Sequence, residues 1–396
     1  FSYYGLGCIL LSVCAITVLK VIPVNNKAKF KWLHNAMATL ATSALYSNPV
    51  FNKRVLKSNE TFDKLAIIIA NHTSFLDTLV ILLVTPKVVF LVNDWVYKSP
   101  IFGKLARVAG YYPVSSGIEG SLNHLREKIE QGYSLVIFPE GKRMYSNNMG
   151  RFHKGAFFLA QELKLDIVPL YIHGNSEVLP KSDFIIYDGT TTVKIGDRIP
   201  FEVFDKIGDS VKQKTKEISN LFKTNFLKMR KELEVSSYFK KLIYRNFIYK
   251  SPSIKEAVKL DIENHLGIYL KLSNLISLNA KILHISDDYG QIDLLLNYYS
   301  NSRKIHTFVP DVSKRKIAKN NFTGVGRNVS YINDLNSVLF TDTLIISTNT
   351  SVLSIDFKNI TTVVILKNSV VTDVFLKQNY AIIHQENLIT VLSKRV

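Results

Sequence analysis

From Phe1 to Leu19 the chain carries no charged residue, and only then do Lys20, Lys27, Lys29 and Lys31 appear. At about 1.5 Å per residue a helix of that length nearly crosses a hydrocarbon core, so a transmembrane helix is expected over residues 1–24. A secretory signal carries its positive charges before the apolar run and a small-residue cleavage site after it, and neither is present. Basic residues that follow a span tend to stay inside, which puts everything downstream on the cytoplasmic face of the membrane. The chain opens on Phe rather than Met, so it is expected to belong to a longer polypeptide. A second apolar stretch, Met37 to Tyr46, is too short to span and reads as an interfacial or core segment.

Further along, short apolar runs alternate with helix-length ones. Leu65 to Ala70 is an unbroken apolar strand signal, and Phe75 to Val84 behind it is apolar over the length of a helix. Leu135 to Phe138 and Ile167 to Ile172 read as two more buried strands, with a helical run from Ala156 to Leu163 between them. Lys206 to Glu234 is lysine-rich, and Ile218, Leu221, Phe222, Met229 and Leu233 fall near one face of a helix. Ser236-Ser237 and Ser251-Pro252-Ser253 mark a boundary around residues 236–252. Beyond it come strand Lys281–Ser286, helix Ile292–Tyr299, strand Lys304–Val309, helix Lys314–Asn320, and strands Thr343–Ser347 and Thr361–Leu366. That alternation predicts a small doubly wound sheet, and makes the whole chain α/β.

With 396 residues the chain exceeds one ordinary core. Two domains are therefore expected after the first helix, over 25–238 and 239–396. The 50 basic residues outweigh the 32 acidic ones, for a formal charge of +18, which suits a membrane surface, an acidic carrier protein or nucleic acid. No homeodomain, zinc-finger or RNP pattern is present, which sets nucleic acid aside. Both cysteines, Cys8 and Cys14, lie in the first apolar stretch, so neither a disulfide framework nor a cysteine-based metal site is expected.

The polar residues at the strand ends carry the chemistry. Asn71-His72-Thr73-Ser74-Phe75-Leu76-Asp77 follows the first strand, and a histidine with an aspartate five positions on can take a proton from a hydroxyl while the carboxylate fixes the ring tautomer. Spacing alone is weak evidence, because His306 and Asp311 share it in a run broken by Pro310. Within a regular helix positions five apart diverge by about 140°. His72 must therefore sit in the turn before the helix, with Asp77 reaching back and Ser74 or Thr73 as the N-cap. A histidine that merely caps a helix is the plain alternative. After the second strand comes Pro139-Glu140-Gly141-Lys142-Arg143, where ligands of open α/β sheets bind. Gly141 allows close backbone approach, Arg143 offers a fork for phosphate or carboxylate, and Glu140 can orient that fork. Lys154, just before the next helix, is a further anion contact.

These blocks together resemble the glycerolipid acyltransferase family, typified by 1-acylglycerol-3-phosphate acyltransferases. Its Asn-His and Asp block is present as Asn71-His72-x-Ser74-x-x-Asp77, and its Phe-Pro-Glu-Gly-Thr-Arg block as Phe138 to Arg143, with Lys142 for the Thr. Its Phe-Lys-x-Gly block matches Phe152, Lys154 and Gly155, and its Val-Pro strand matches Val168-Pro169-Leu170. Order and spacing agree over roughly residues 30 to 235. One block departs: where the family carries an Asp-Arg whose arginine grips the acceptor phosphate, this chain reads Ser115-Ser116 after Gly110 to Val114. The resemblance implies acyl transfer from acyl-carrier protein or acyl-CoA to a hydroxyl of a lysophospholipid or related membrane lipid, without a cofactor. His72 and Asp77 are then catalytic, and Asn71, Ser74, Glu140, Gly141, Lys142, Arg143 and Lys154 bind substrate.

The layout after residue 239 resembles class I methyltransferases that use S-adenosylmethionine. Asp311 stands where that family's ribose-binding acid closes the second strand, while the glycine loop is reduced to Gly290 in Ile285-Ser286-Asp287-Asp288-Tyr289-Gly290. The resemblance implies a Rossmann-like domain with a degenerate cofactor site at Gly290 and Asp311. Two other readings stay open: a methyltransferase with an accessory N-terminal half, and a non-catalytic scaffold.

Overall fold

The run Ala66–Ala70 is buried at every position because it is the central strand of a seven-stranded sheet covered on both faces. The structure, a computed structural model, describes residues 2–21, 25–56, 58–114, 117–145, 149–181, 183, 185–321, 328–335, 341–348, 359–366, 372–386 and 388–395. The chain divides into two compact units, Phe1–Arg230 and Lys231–Val396. The division falls inside the helix Val211–Leu233, ahead of the serine-marked boundary.

The first unit contains β1 (Phe51–Leu56), β2 (Ala66–Ala70), β3 (Val88–Val92), β4 (Tyr112–Pro113), β5 (Ser134–Ile137), β6 (Asp166–His173) and β7 (Gly189–Ile195) in the order β1-β7-β6-β2-β5-β3-β4. β2 runs parallel to β5 and β6, with Ile67 opposite Leu135 and Ile167. This register brings the loops after β2 and β5 out side by side, which places the two polar blocks next to one another. β7 is antiparallel to β6 and parallel to β1. Its threonine-rich sequence, like the edge positions of β1 and β4, lacks the apolar run that reveals β2, β5 and β6.

The transmembrane helix expected over residues 1–24 finds no support in the helix Ser2–Val21. Among the described residues no helix is long and apolar enough to cross a membrane. Instead Cys8, Ser12 and Ala15, at helical spacing on one face, are buried in a unit where this helix packs on the helices Asn26–Tyr46 and Gly103–Val108. Leu6, Ile9, Leu10 and Val13 lie exposed on the rest of its surface. The stretch from Met37 to Tyr46 belongs to the core, where Met37, Ala41 and Leu45 are buried.

In the second unit the stretch read as a boundary is itself helical over Ser236–Arg245, because Phe239, Leu242 and Ile243 give it a buried face. The next helix, Pro252–Leu275, starts where Ser251 caps the Ile254 amide and Pro252 occupies the first turn. β8 (Lys281–Ile285), β9 (Lys304–Phe308), β10 (Val329–Ile332), β11 (Thr343–Ile346), β12 (Thr362–Leu366), β13 (Tyr380–Glu386) and β14 (Ile389–Lys394) lie in the order β10-β9-β8-β11-β12-β14-β13. The first five are parallel, and the winding reverses between β8 and β11. The β13–β14 hairpin adds antiparallel to β12. This is a doubly wound, Rossmann-like sheet.

Candidate active site

At the end of β2 the side chain of Asn71 clamps the chain to β6. Its amide donates to Ile172 O and its carbonyl accepts from Ile172 N, both at 2.8 Å. The next residue, His72, leaves the sheet, and its Nδ1 meets Asp77 Oδ2 at 2.8 Å. Asp77, fully buried in the first turn of the helix Leu76–Val84, also accepts the amides of Thr73 at 2.7 Å and Ser74 at 2.9 Å. The carboxylate thus ties down the turn before its own helix, whose N-cap position is Phe75 rather than the expected Ser74 or Thr73. Ser74 Oγ donates to Leu179 O at 2.8 Å and accepts the Leu76 amide.

The other carboxylate oxygen has a partner that no motif pointed to. Asn175 Nδ2 donates to Asp77 Oδ1 at 2.6 Å, and Thr191 Oγ1 donates to Asn175 Oδ1, so a buried relay runs from His72 through Asp77 and Asn175 to β7. Gly174 before it has φ +93°, and a Cβ there would lie 2.0 Å from Thr190 O. The sequence signal for this element is the His-Gly-Asn triplet closing β6.

The loop after β5 braces the histidine. Phe138 stacks on the His72 ring with centroids 4.0 Å apart and planes 16° apart. Glu140 does not orient Arg143. Its Oε1 accepts the His72 amide at 2.9 Å and its Oε2 the Gly150 amide at 2.7 Å, while Met144 N donates to His72 O at 2.7 Å. Burial pushes the Glu140 carboxyl up to about 7 despite those two amides. Gly141 turns the loop at φ +67° and lies against the His153 ring.

Both loops open on a cavity of about 620 Å³. Its polar end is lined by His72, Gly141, Lys142, Arg143, His153 and Lys181, and its apolar end by Phe90, Leu105, Ala106, Tyr111, Met37 and Cys8. Asn71, Ser74, Glu140 and Lys154 do not line it. The first three hold the loops in place, so the cavity lining lends no support to their expected contact with substrate, and Lys154 is an exposed residue at the start of the helix Gly155–Leu163. Arg143 sits over the Trp95 ring at 5.9 Å and Lys181 over the Tyr145 ring at 4.1 Å. Lys181 was not among the expected site residues, because it follows no motif. Ser115 and Ser116 lie outside the described residues.

Residues 50–173 match the family model described as Acyltransferase. This segment is an acyltransferase-family domain. The chain is similar to the chloroplastic 1-acyl-sn-glycerol-3-phosphate acyltransferase of Brassica napus, at 26% identity over 55% of this chain and 64% of that one. It is similar at 27% identity to the chloroplastic enzyme of that name from Arabidopsis thaliana, over 48% of this chain and 54% of the relative. The chain therefore spans less than two thirds of the length of these curated relatives. The solved 1-acyl-sn-glycerophosphate acyltransferase PlsC of Thermotoga maritima overlays with a TM-score of 0.46 and 18% identity, over 57% of this chain and 98% of that one.

In the second unit the residues present do not fit a nucleotide-type cofactor held by loop amides. Asp288 N donates to Ser286 Oγ, Tyr289 N to Gln291 Oε1, and Gly290 N to Asp288 Oδ1, so the amides such a cofactor needs are satisfied from within. A Cβ at Gly290 would lie 2.5 Å from the Tyr331 hydroxyl, so the space beside the glycine is filled by protein. Asp311 caps its helix, its Oδ1 accepting from Ser313 N, Ser313 Oγ and Lys314 N. Gly290 and Asp311 thus carry local structural roles, and this geometry gives no support to the S-adenosylmethionine site expected at them.

Proposed function

We propose that this chain is a membrane-associated O-acyltransferase that moves a fatty acyl group from an acyl-carrier-protein or CoA thioester to the hydroxyl of a lysophospholipid-type acceptor. The observation that carries this reading is the His72–Asp77 pair at the polar end of a cavity whose other end is apolar. With Nδ1 held by Asp77, the ring presents Nε2 as its basic nitrogen. Nε2 takes the acceptor's hydroxyl proton as the oxygen forms a bond to the thioester carbonyl carbon. The tetrahedral adduct then expels the thiolate, which recovers that proton from the imidazolium, and no acyl-enzyme forms. Asp77 stabilises the imidazolium between the two transfers, and Phe138 keeps the ring from turning. The apolar end of the cavity accommodates the acyl chain. The exposed Leu6, Ile9, Leu10 and Val13 supply a surface for contact with the cytoplasmic leaflet, which the overall charge of +18 favours electrostatically.

The test is transfer of a labelled acyl group from each thioester donor to 1-acylglycerol-3-phosphate by wild type, His72→Ala and Asp77→Asn. Wild-type transfer that falls at least about a thousand-fold in His72→Ala and less in Asp77→Asn is expected. Absence of transfer by wild type with either donor would overturn the acyltransferase reading, and equal activity in His72→Ala would overturn the assigned base.

A further inference from the structure

We propose that Lys181 is a phosphate-ester anchor of this site, completing with Lys142 and Arg143 a cationic end to the cavity; the inference rests on the acyltransferase reading above. Three cations and His72 line the polar end, and among the described residues that line the cavity there is no aspartate or glutamate. The buried acids behind the cavity wall are engaged by other groups: Asp77 by His72, Thr73, Ser74 and Asn175, and Glu140 by the amides of His72 and Gly150. Lys181 is half-buried on the turn beyond Asn175–Val178, and Tyr145 holds its ammonium at 4.1 Å from the ring centroid, as Trp95 holds Arg143 at 5.9 Å. An aromatic face positions a cation without neutralising it. Two half-buried cations, Arg143 and Lys181, and the exposed Lys142 share this lining with no acid among the described residues, which favours an anion supplied by the ligand.

A phosphate monoester fits this arrangement by charge and by its several acceptor oxygens. Arg143 can offer two parallel N–H donors while the two lysines act as point charges. Lys181 comes from a different part of the chain and supplies a positive charge to the same cavity. The phosphate belongs either to the acceptor's glycerol headgroup or to the 3′-phosphate of a CoA donor, and the two are separable.

Equilibrium binding of 1-acylglycerol-3-phosphate and of CoA, read by calorimetry without turnover, is measured for wild type, Lys181→Met and Lys181→Arg. A loss of about ten-fold or more in Lys181→Met, largely restored in Lys181→Arg, is expected for one ligand. Loss confined to the first ligand assigns the acceptor phosphate, and loss confined to the second assigns the donor. Unchanged affinity for both ligands, or a wild type that binds neither, overturns the proposal. Since binding is read apart from acyl transfer, an inactive wild type that still shows the Lys181-dependent loss would defeat the enzymatic reading and leave the anchor standing. Lys181→Arg also guards against a folding defect, as does a melting curve for each variant.

Discussion

Asn175 holds Asp77 from the side opposite His72, with Nδ2 2.6 Å from Oδ1 while Oδ2 faces the imidazole at 2.8 Å. Because Thr191 donates to the amide carbonyl of Asn175, the NH2 group is fixed toward Asp77. Removing that donor leaves a buried carboxylate oxygen unpaired and lets the carboxylate swing. A hydrogen bond to a charged group contributes about 1.5–3 kcal/mol, so Asn175→Ala is expected to lower kcat about ten- to a hundred-fold with the acceptor KM little changed. Asn175→Asp sets a second acid beside Asp77 and is expected to lose more. Steady-state kinetics on both variants check this, and wild-type kcat in Asn175→Ala would show that the amide does not position Asp77.

Glu140 gives the first unit a pH dependence with a definite sign. Its carboxyl titrates near 7 in the folded chain against 4.5 when exposed, because burial disfavours its charge. Between those values the unfolded chain has already released the proton while the folded chain keeps it. Stability therefore falls as pH rises from about 4.5 to about 7 and is flat above, by an amount on the order of 3 kcal/mol. Glu140→Gln removes this slope, and because its NH2 faces one of the two amides it is also expected to lower activity about ten-fold through loss of the His72 brace. Urea unfolding across that pH window, compared between wild type and variant, reads the difference. Coincident slopes would contradict it.

How much of this was legible in the sequence depends on where each residue's partner lies. β2, β5 and β6 were readable because strands covered on both faces are uninterrupted apolar runs, and the His72 turn was readable because helix geometry forbids the pair from meeting inside the helix. The span expected over residues 1–24 has no support, because absence of charge alone does not separate a lipid-facing helix from one that buries Cys8, Ser12 and Ala15 in protein. Asn175 and Lys181 were missed because their partners, Asp77 and the cavity, are set by β6, β7 and the turn between them rather than by local spacing. Glu140 was found but given the wrong partner: sequence proximity favoured Arg143, whereas the side chain crosses to the neighbouring loop and binds the His72 amide.

The self-satisfied loop at Ser286–Gly290 predicts that the second unit does not bind S-adenosylmethionine. Entry of the ligand would break three internal hydrogen bonds and displace the Tyr331 hydroxyl from beside Gly290. Asp288 is half-buried there, and desolvation together with the neighbouring Asp293 pushes its carboxyl up to about 6, so added negative charge from a ligand carboxylate is unwelcome. Calorimetric titration of the full chain with S-adenosylmethionine is expected to show no heat of binding at millimolar ligand. Saturable binding that vanishes in Asp311→Ala would show that the loop opens and restore that site.

Tyr111 lies at the apolar end of the cavity with its ring 5.2 Å from that of Phe90, and its hydroxyl, buried, has no hydrogen-bond partner among the described residues. Burial pushes the phenol well above its ordinary range, so the group stays neutral and its O–H is a desolvated donor without an acceptor. Removing such a group while keeping the ring is expected to raise stability by about 1 kcal/mol, a shift of a few degrees in Tm. Tyr111→Phe should accordingly melt slightly higher than wild type and, because the hydroxyl plays no part in proton transfer at His72, turn over at a similar rate. A lower Tm, or a ten-fold fall in kcat/KM confined to one acyl chain length, would mean that the hydroxyl has a partner in the working enzyme, bound water in the first case and substrate in the second.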